Sequence, residues 1–306
     1  MNPRRLATAF CAAIICSAAM AGVAHAATVG CGDVITESIT LSADVGPCPG
    51  DGIVIGAHDV TLNLGGHSVT GTGTGSGILV STFSRAHVLN GTVTGFSDGV
   101  VTRLSFDNVF EALVVKENQA TGILLTLGGD NQVRRNIVTA NGGNGIGSAA
   151  AGGNVIESNV VHGNAGAGVF LGRRSLNFAS GRNRVAGNTI AENGGDGVFV
   201  SNFNSHNQIL GNLVASNRGD GVQISVFSGD QCCNLIQGNV IRGNAENGVL
   251  ILGNRPFPAP PSSLNRVLTN TAVGNGAYDL ADETPGCGDN VWAGNSYGTR
   301  NQPCVN

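Results

Sequence analysis

The chain has 306 residues, 48 of them glycine, with 41% hydrophobic and 12% charged residues and a formal net charge of −4. A mean hydropathy of +0.12 excludes global disorder, which needs low hydrophobicity and high net charge. The glycines follow no three-residue period, so collagen is excluded too. Lys116 is the sole lysine and the balance is acidic, so no nucleic-acid partner is expected.

Arg4 and Arg5, the nearly all-apolar run from Leu6 to Val23, and Ala24-His25-Ala26 follow the layout of a secretory signal peptide. Residues 1–26 are expected to direct export, giving a secreted, periplasmic or cell-envelope protein. No later stretch of about 18 apolar residues occurs, so the mature chain is expected to lack a transmembrane span.

Six cysteines remain beyond residue 26: Cys31, Cys48, Cys232, Cys233, Cys287 and Cys304. An even count in an oxidising compartment suggests disulfides. Cys31 with Cys48, and Cys287 with Cys304, are each separated by 17 positions at one end of the mature chain. Adjacent Cys232 and Cys233 are either a vicinal disulfide or two small core residues. No Cys-x-x-Cys pair or His-x-x-x-His spacing points to structural zinc.

A glycine followed by an aliphatic-x-aliphatic triplet recurs at Gly52, Gly77, Gly99, Gly122, Gly145, Gly168, Gly197, Gly221 and Gly248. In the same phase an Asn-x-[Val/Ile/Trp]-x-x-Asn signature recurs, as at Asn183/Asn188 and Asn207/Asn212. Each unit of about 23 residues holds three short aliphatic segments, separated by Asn or Gly corners that tolerate positive φ. Period-2 alternation predicts strands, and no segment carries a helical period. The expected fold is all-β: a right-handed parallel β-helix of about nine or ten coils with three short strands per coil. Its asparagine columns read as structural ladders. Residues 27–51 are expected to form an N-terminal cap, 52–280 the helix, and 281–306 a C-terminal cap holding Trp292. Disulfides would staple both caps.

Units such as Asn-Gly-Gly-Asp-Gly-Val-Phe-Val (193–200) and the terminal stretches beginning Cys31-Gly32-Asp33 and Cys287-Gly288-Asp289 resemble secreted β-helix proteins of the pectin-lyase-like superfamily. The closest look is the carbohydrate-binding and sugar-hydrolase repeat type, over 28–306. The resemblance implies an extracellular polysaccharide partner and lyase, epimerase or hydrolase relatives. The sequence departs from the Asn-Thr-Asp with Gly-His-Gly of polygalacturonase-like hydrolases. It also lacks the Asp-Pro-His-Asp of alginate epimerases and the Arg-x-Pro-x-x-Arg of pectate lyases. Copper-associated periplasmic relatives share such repeats, but no Met follows residue 20, so no thioether ligand is available. No metal site or cofactor is expected; calcium stays open, although no calcium-roll motif repeats.

Longer coils place insertions after the glycine-led strand, at 172–181, 225–231 and 253–264. Insertions flank the functional edge of a solenoid. The strand's outward row is then Leu79, Val101, Leu124, Gly147, Phe170, Phe199, Gln223 and Leu250. That row reads as shielded by loops or a second chain, which leaves self-association open, or as a glycan floor. On the second reading Phe170, Phe199 and Gln223 with Arg173 and Arg174 would bind sugar. Asp196 and Asp220 share one slot in neighbouring coils and are candidate catalytic carboxylates on one rim. Asp and Asn interchange at such corners, so a turn role is the alternative. His206, next to Arg182 and near Asp230, is a candidate general base. Three functions follow: a polysaccharide-active enzyme, a non-catalytic glycan-binding or envelope module, and an adhesive protein associating through its apolar face.

Overall fold

The computed structural model describes residues 25–172, 180–201, 204–225, 232–253 and 264–306. Most of the expected signal segment and both Arg173 and Arg174 lie outside these. Aliphatic triplets become strands of three or four residues because β-branched side chains suit a pleated, half-buried surface. Each strand pairs in parallel with its equivalent one coil later. Val169, Phe170 and Leu171 lie between Ile146, Gly147 and Ser148 on one side and Val198, Phe199 and Val200 on the other. The glycine-led strands form an 11-stranded parallel sheet, and the remaining sides of the coil join in a 21-stranded sheet. The fold is a right-handed parallel β-helix of about ten turns, as the periodicity predicts.

Inward residues of equivalent strands stack into apolar columns. Ile146, Val169, Val198, Val222 and Val249 form one of them and are fully buried. The leading glycines are required by close approach. A Cβ on Gly168 would lie 2.4 Å from Ile190 Cγ2 and 2.8 Å from Asn193 Nδ2.

The corners differ from expectation in one respect. The ladder asparagines do not themselves take positive φ; the residue ahead of each regular one, up to Asn275, does. At the first corner after the 11-stranded sheet, Asp107, Asp130, Arg182, His206, Cys233 and Leu264 have φ between 55° and 68°. Each immediately precedes a buried ladder residue: Asn108, Asn131, Asn183, Asn207, Asn234 or Asn265. The left-handed residue turns the chain, and the next side chain points into the coil.

There the asparagines bond along the stack. Asn159 donates its N–H and Nδ2 to Asn188 Oδ1 at 2.9 and 3.0 Å, and Asn188 does the same to Asn212. Asn188 Nδ2 also donates to the Ile156 carbonyl at 2.9 Å. Satisfaction of this kind is what lets amides sit in a core. Two ladders end on carboxylates. Asp279 accepts from Asn275, Gly298 and Thr299, and Asp282 accepts from Asn290 and the Trp292 indole N–H.

Both terminal disulfides form, Cys31–Cys48 and Cys287–Cys304. Strands Asp33–Ile35 and Ile39–Leu41 already pair with Ile53–Ile55 and Thr61–Asn63, so the ladder runs through the segment ahead of Gly52. Among the described residues no helix is long and apolar enough to cross a membrane. The asparagine ladder makes a direct prediction. Asn188→Ala leaves buried partners unpaired on two neighbouring coils and should cost about 2–4 kcal/mol. Thermal unfolding should show a clear drop, whereas an unchanged melting temperature would remove the ladder from the stability account.

Candidate functional site

The outward row of the 11-stranded sheet runs in the expected register, with Phe170 paired to Phe199 and Phe199 to Gln223. The two phenylalanines are half-buried, and their ring centroids lie 5.7 Å apart. The Phe170 ring leans along its strand over Gly172, where an added Cβ would meet it at 2.1 Å. Val101 and Leu250 are buried, so the row is not uniformly open.

Asp196 and Asp220 do stack on neighbouring coils, but the expectation of an open carboxylate rim is corrected by their bonds. Asp196 Oδ1 accepts the Asp220 N–H at 2.8 Å. Asp220 is fully buried; its Oδ1 accepts from the Asn247 N–H and Nδ2, and its Oδ2 from Gln223 Nε2. Asp51, Asp98 and Asn144 bond the next coil's backbone N–H in the same way. An amide serves there as well as a carboxylate, so this column is a corner ladder. His206 lies beyond the other end of strand Val198–Ser201, so the structure does not unite it with the two aspartates.

A different site forms around His206. A groove of about 430 Å³ runs along the first corner, floored by Gly129, Gly152 and Gly181. These glycines occupy one slot on successive coils, joined by parallel bridges that begin at Phe106. The next coil contributes Ser205, the partner of Gly181. The bare floor follows from packing, since a Cβ on Gly129 or Gly181 would lie 2.5 or 2.2 Å from the next coil's carbonyl oxygen. Asp130, Arg182 and His206 border the floor, each exposed and each in the left-handed corner position. Gly153 takes that position between Asp130 and Arg182, and the Asp130 carboxyl occupies the space its side chain would fill. From Asp130 to His206 is three rungs, or roughly 14 Å. The sequence reading found Arg182 and His206 as neighbours but missed the groove. The readable signal was a glycine in one slot near the first ladder asparagine: Gly129, Gly152 and Gly181.

One rung beyond His206, Cys232 and Cys233 are bonded to each other and half-buried, so they are not a core pair. The His206 N–H donates to the Cys232 carbonyl at 3.1 Å, and the Cys232 N–H to Ser205 Oγ at 3.3 Å. The side-chain ligand atoms of His206, Cys232 and Cys233 lie within 4.8 Å of one another. Among the described residues this is the one such grouping of three. Reduced to thiolates, the two sulfurs with the imidazole would be a donor set that fits a soft metal ion such as copper.

The model for "Periplasmic copper-binding protein (NosD)" matches residues 49–250, which is most of the coil stack. The chain belongs to the NosD family. No curated protein sequence matches it. Among solved structures it is similar to the A-module of Azotobacter vinelandii mannuronan C-5 epimerase AlgE4, with a TM-score of 0.69 and 15% identity over 92% of this chain and 86% of that one. The periplasmic alginate epimerase AlgG aligns with a TM-score of 0.51 and 14% identity, covering 88% of this chain and 78% of that one. The Dettilon tailspike protein aligns at 0.52 and 16%, covering 87% and 54%. At these identities the likeness establishes the fold the NosD member shares with them.

The corner ladder carries a pH prediction. Burial pushes the Asp196 carboxyl up to about 7, against the Asp220 N–H and with help from the charges of Asp220 and Glu246. A raised folded-state value means the protonated form is favoured by folding. Stability is therefore fullest below the ordinary value near 3.8 and falls as pH rises towards 7. Asp196→Asn keeps the acceptor without the charge, so it should raise the melting temperature at pH 8 and leave it unchanged at pH 4. Equal melting temperatures at both pH values would show that Asp196 is not strained by burial.

Proposed function

We propose that this NosD-family protein is exported to the periplasm and binds an acidic polysaccharide along the glycine-floored groove. The observation that carries the reading is the groove itself, an open floor without side chains that continues over successive rungs beside a cation. A linear glycan laid along the stack would present its units to Asp130, Arg182 and His206 in turn. The planar Arg182 guanidinium matches a sugar carboxylate bidentately, and Phe106 at one end offers a ring face. Phe170 leans towards this edge of the sheet, and it and its neighbour Phe199 are proposed as flanking stacking surfaces. Proton abstraction next to a sugar carboxylate, as in lyases and epimerases, would fall to His206, with Arg182 stabilising the developing charge. Structural neighbours that include a mannuronan C-5 epimerase and a periplasmic alginate epimerase support this class of ligand.

The test is retention on a panel of immobilised acidic and neutral polysaccharides, with ultraviolet absorbance of the eluate reporting unsaturated products. Acidic chains should be retained selectively, and Arg182→Ala should weaken retention about tenfold or more at unchanged melting temperature. Retention indifferent to sugar charge or to Arg182 would refute the reading. A second reading, copper binding, is carried by the family description and favoured by the grouping of His206, Cys232 and Cys233.

A further inference from the structure

Cys233 occupies the left-handed corner slot that holds His206 one coil earlier and Arg182 two coils earlier. A residue there displays its side chain outward, because the asparagine that follows it is the one turned into the core. Cys232 occupies the floor slot next to it, in line with Ser205 and Gly181. The vicinal pair therefore sits one rung past His206, beyond the residues that line the groove. Both sulfurs are half-exposed beside the imidazole, and all three ligand atoms fall within 4.8 Å.

We infer that Cys232, Cys233 and His206 form a redox-gated site for monovalent copper at the end of the groove, an inference that rests on the copper-binding reading. Two thiolates and one imidazole make a three-coordinate soft donor set. Such a set suits Cu(I), whereas structural Zn(II) takes four ligands. Among the described residues no fourth His, Cys, Asp or Glu joins the group.

The disulfide is the closed state of the gate, since its sulfurs carry no thiolate charge to offer a cation. Opening requires a dithiol reductant. One reductant thiolate attacks a sulfur of the Cys232–Cys233 bond, giving a mixed disulfide, and the second displaces it. The reductant leaves as its own disulfide, two electrons pass to the cysteines, and two protons end on their thiols. Cu(I) then binds both sulfurs and the His206 imidazole, and the two thiol protons are released to solvent. Oxidation of the dithiol by a disulfide of higher potential reverses the sequence and expels the ion. The groove-lining residues include His206 but neither cysteine, so replacing the cysteines leaves the groove's own lining intact.

The experiment is anaerobic competition with a chromophoric Cu(I) chelator, run on the full chain before and after treatment with a dithiol and its removal. A thiol count accompanies each sample, and acidic-glycan retention is measured in parallel. The reduced wild type should take about one equivalent of Cu(I) and the untreated protein none. Cys232→Ser/Cys233→Ser should take none after the same treatment, which also controls for any reduction of the terminal disulfides. His206→Ala should weaken Cu(I) binding about tenfold or more. Glycan retention of the double serine variant should equal that of wild type, so failure of the copper site and failure of the groove reading give different patterns. Copper uptake that survives in the double variant, or that is equal with and without reduction, overturns the proposal. So does displacement of Cu(I) by equimolar Zn(II).

Discussion

At every regular corner of this coil a left-handed residue is followed by an inward asparagine, and most of the molecule depends on that pair. A non-glycine residue in the left-handed region costs about 1–2 kcal/mol. Arg135, Ala140, Ser158, Arg182, Glu192 and His206 all accept that cost. The asparagine behind each one offsets it, bonding the next coil's asparagine and, in all of these but Asn183, a backbone carbonyl. The ladders fix rung spacing and register together, which lets strands of only three residues stack without slipping. Where the stack ends, Asp279 and Asp282 receive the last donors, so the terminal amides are not left unpaired in the core.

The same corner decides where chemistry can be placed. Its asparagine is committed to the interior, whereas the left-handed residue ahead of it turns outward and is free to vary. At the first corner it runs Asp107, Asp130, Gly153, Arg182, His206, Cys233 and Leu264, a row of different chemistries at rung intervals. Beside it, Gly129, Gly152 and Gly181 form a floor, and at Gly129 and Gly181 the next coil's backbone passes too close for a Cβ. Carboxylate, guanidinium and imidazole line an open edge at the regular spacing of the stack, which is a geometry suited to a linear polymer.

Much of this was legible in the sequence. The glycine-triplet period gave the coil, the alternation gave the inward column of Ile146, Val169 and Val198, and the cysteine spacing gave both terminal bridges. The asparagine columns read correctly as structure. The site was less legible, for a physical reason. Asp196 and Asp220 look like a carboxylate pair on spacing alone, but the corner needs an acceptor aligned with the next coil's N–H, and either Asp or Asn supplies it. That demand, and the complete burial of Asp220, cannot be told from one-dimensional registry. His206 and Arg182 were visible as neighbours. The floor was not, because glycine is so abundant here that three in one slot do not stand out.

The central claim is that the left-handed corner row from Asp130 to His206 and its glycine floor form the ligand edge of the solenoid. A crystal structure with a short acidic oligosaccharide bound tests it most directly. The account predicts sugar density along the stack over Gly129, Gly152 and Gly181, with a carboxylate on Arg182 and a ring beside His206. Density across another face of the coil, with this groove filled only by water at saturating oligosaccharide, would contradict it.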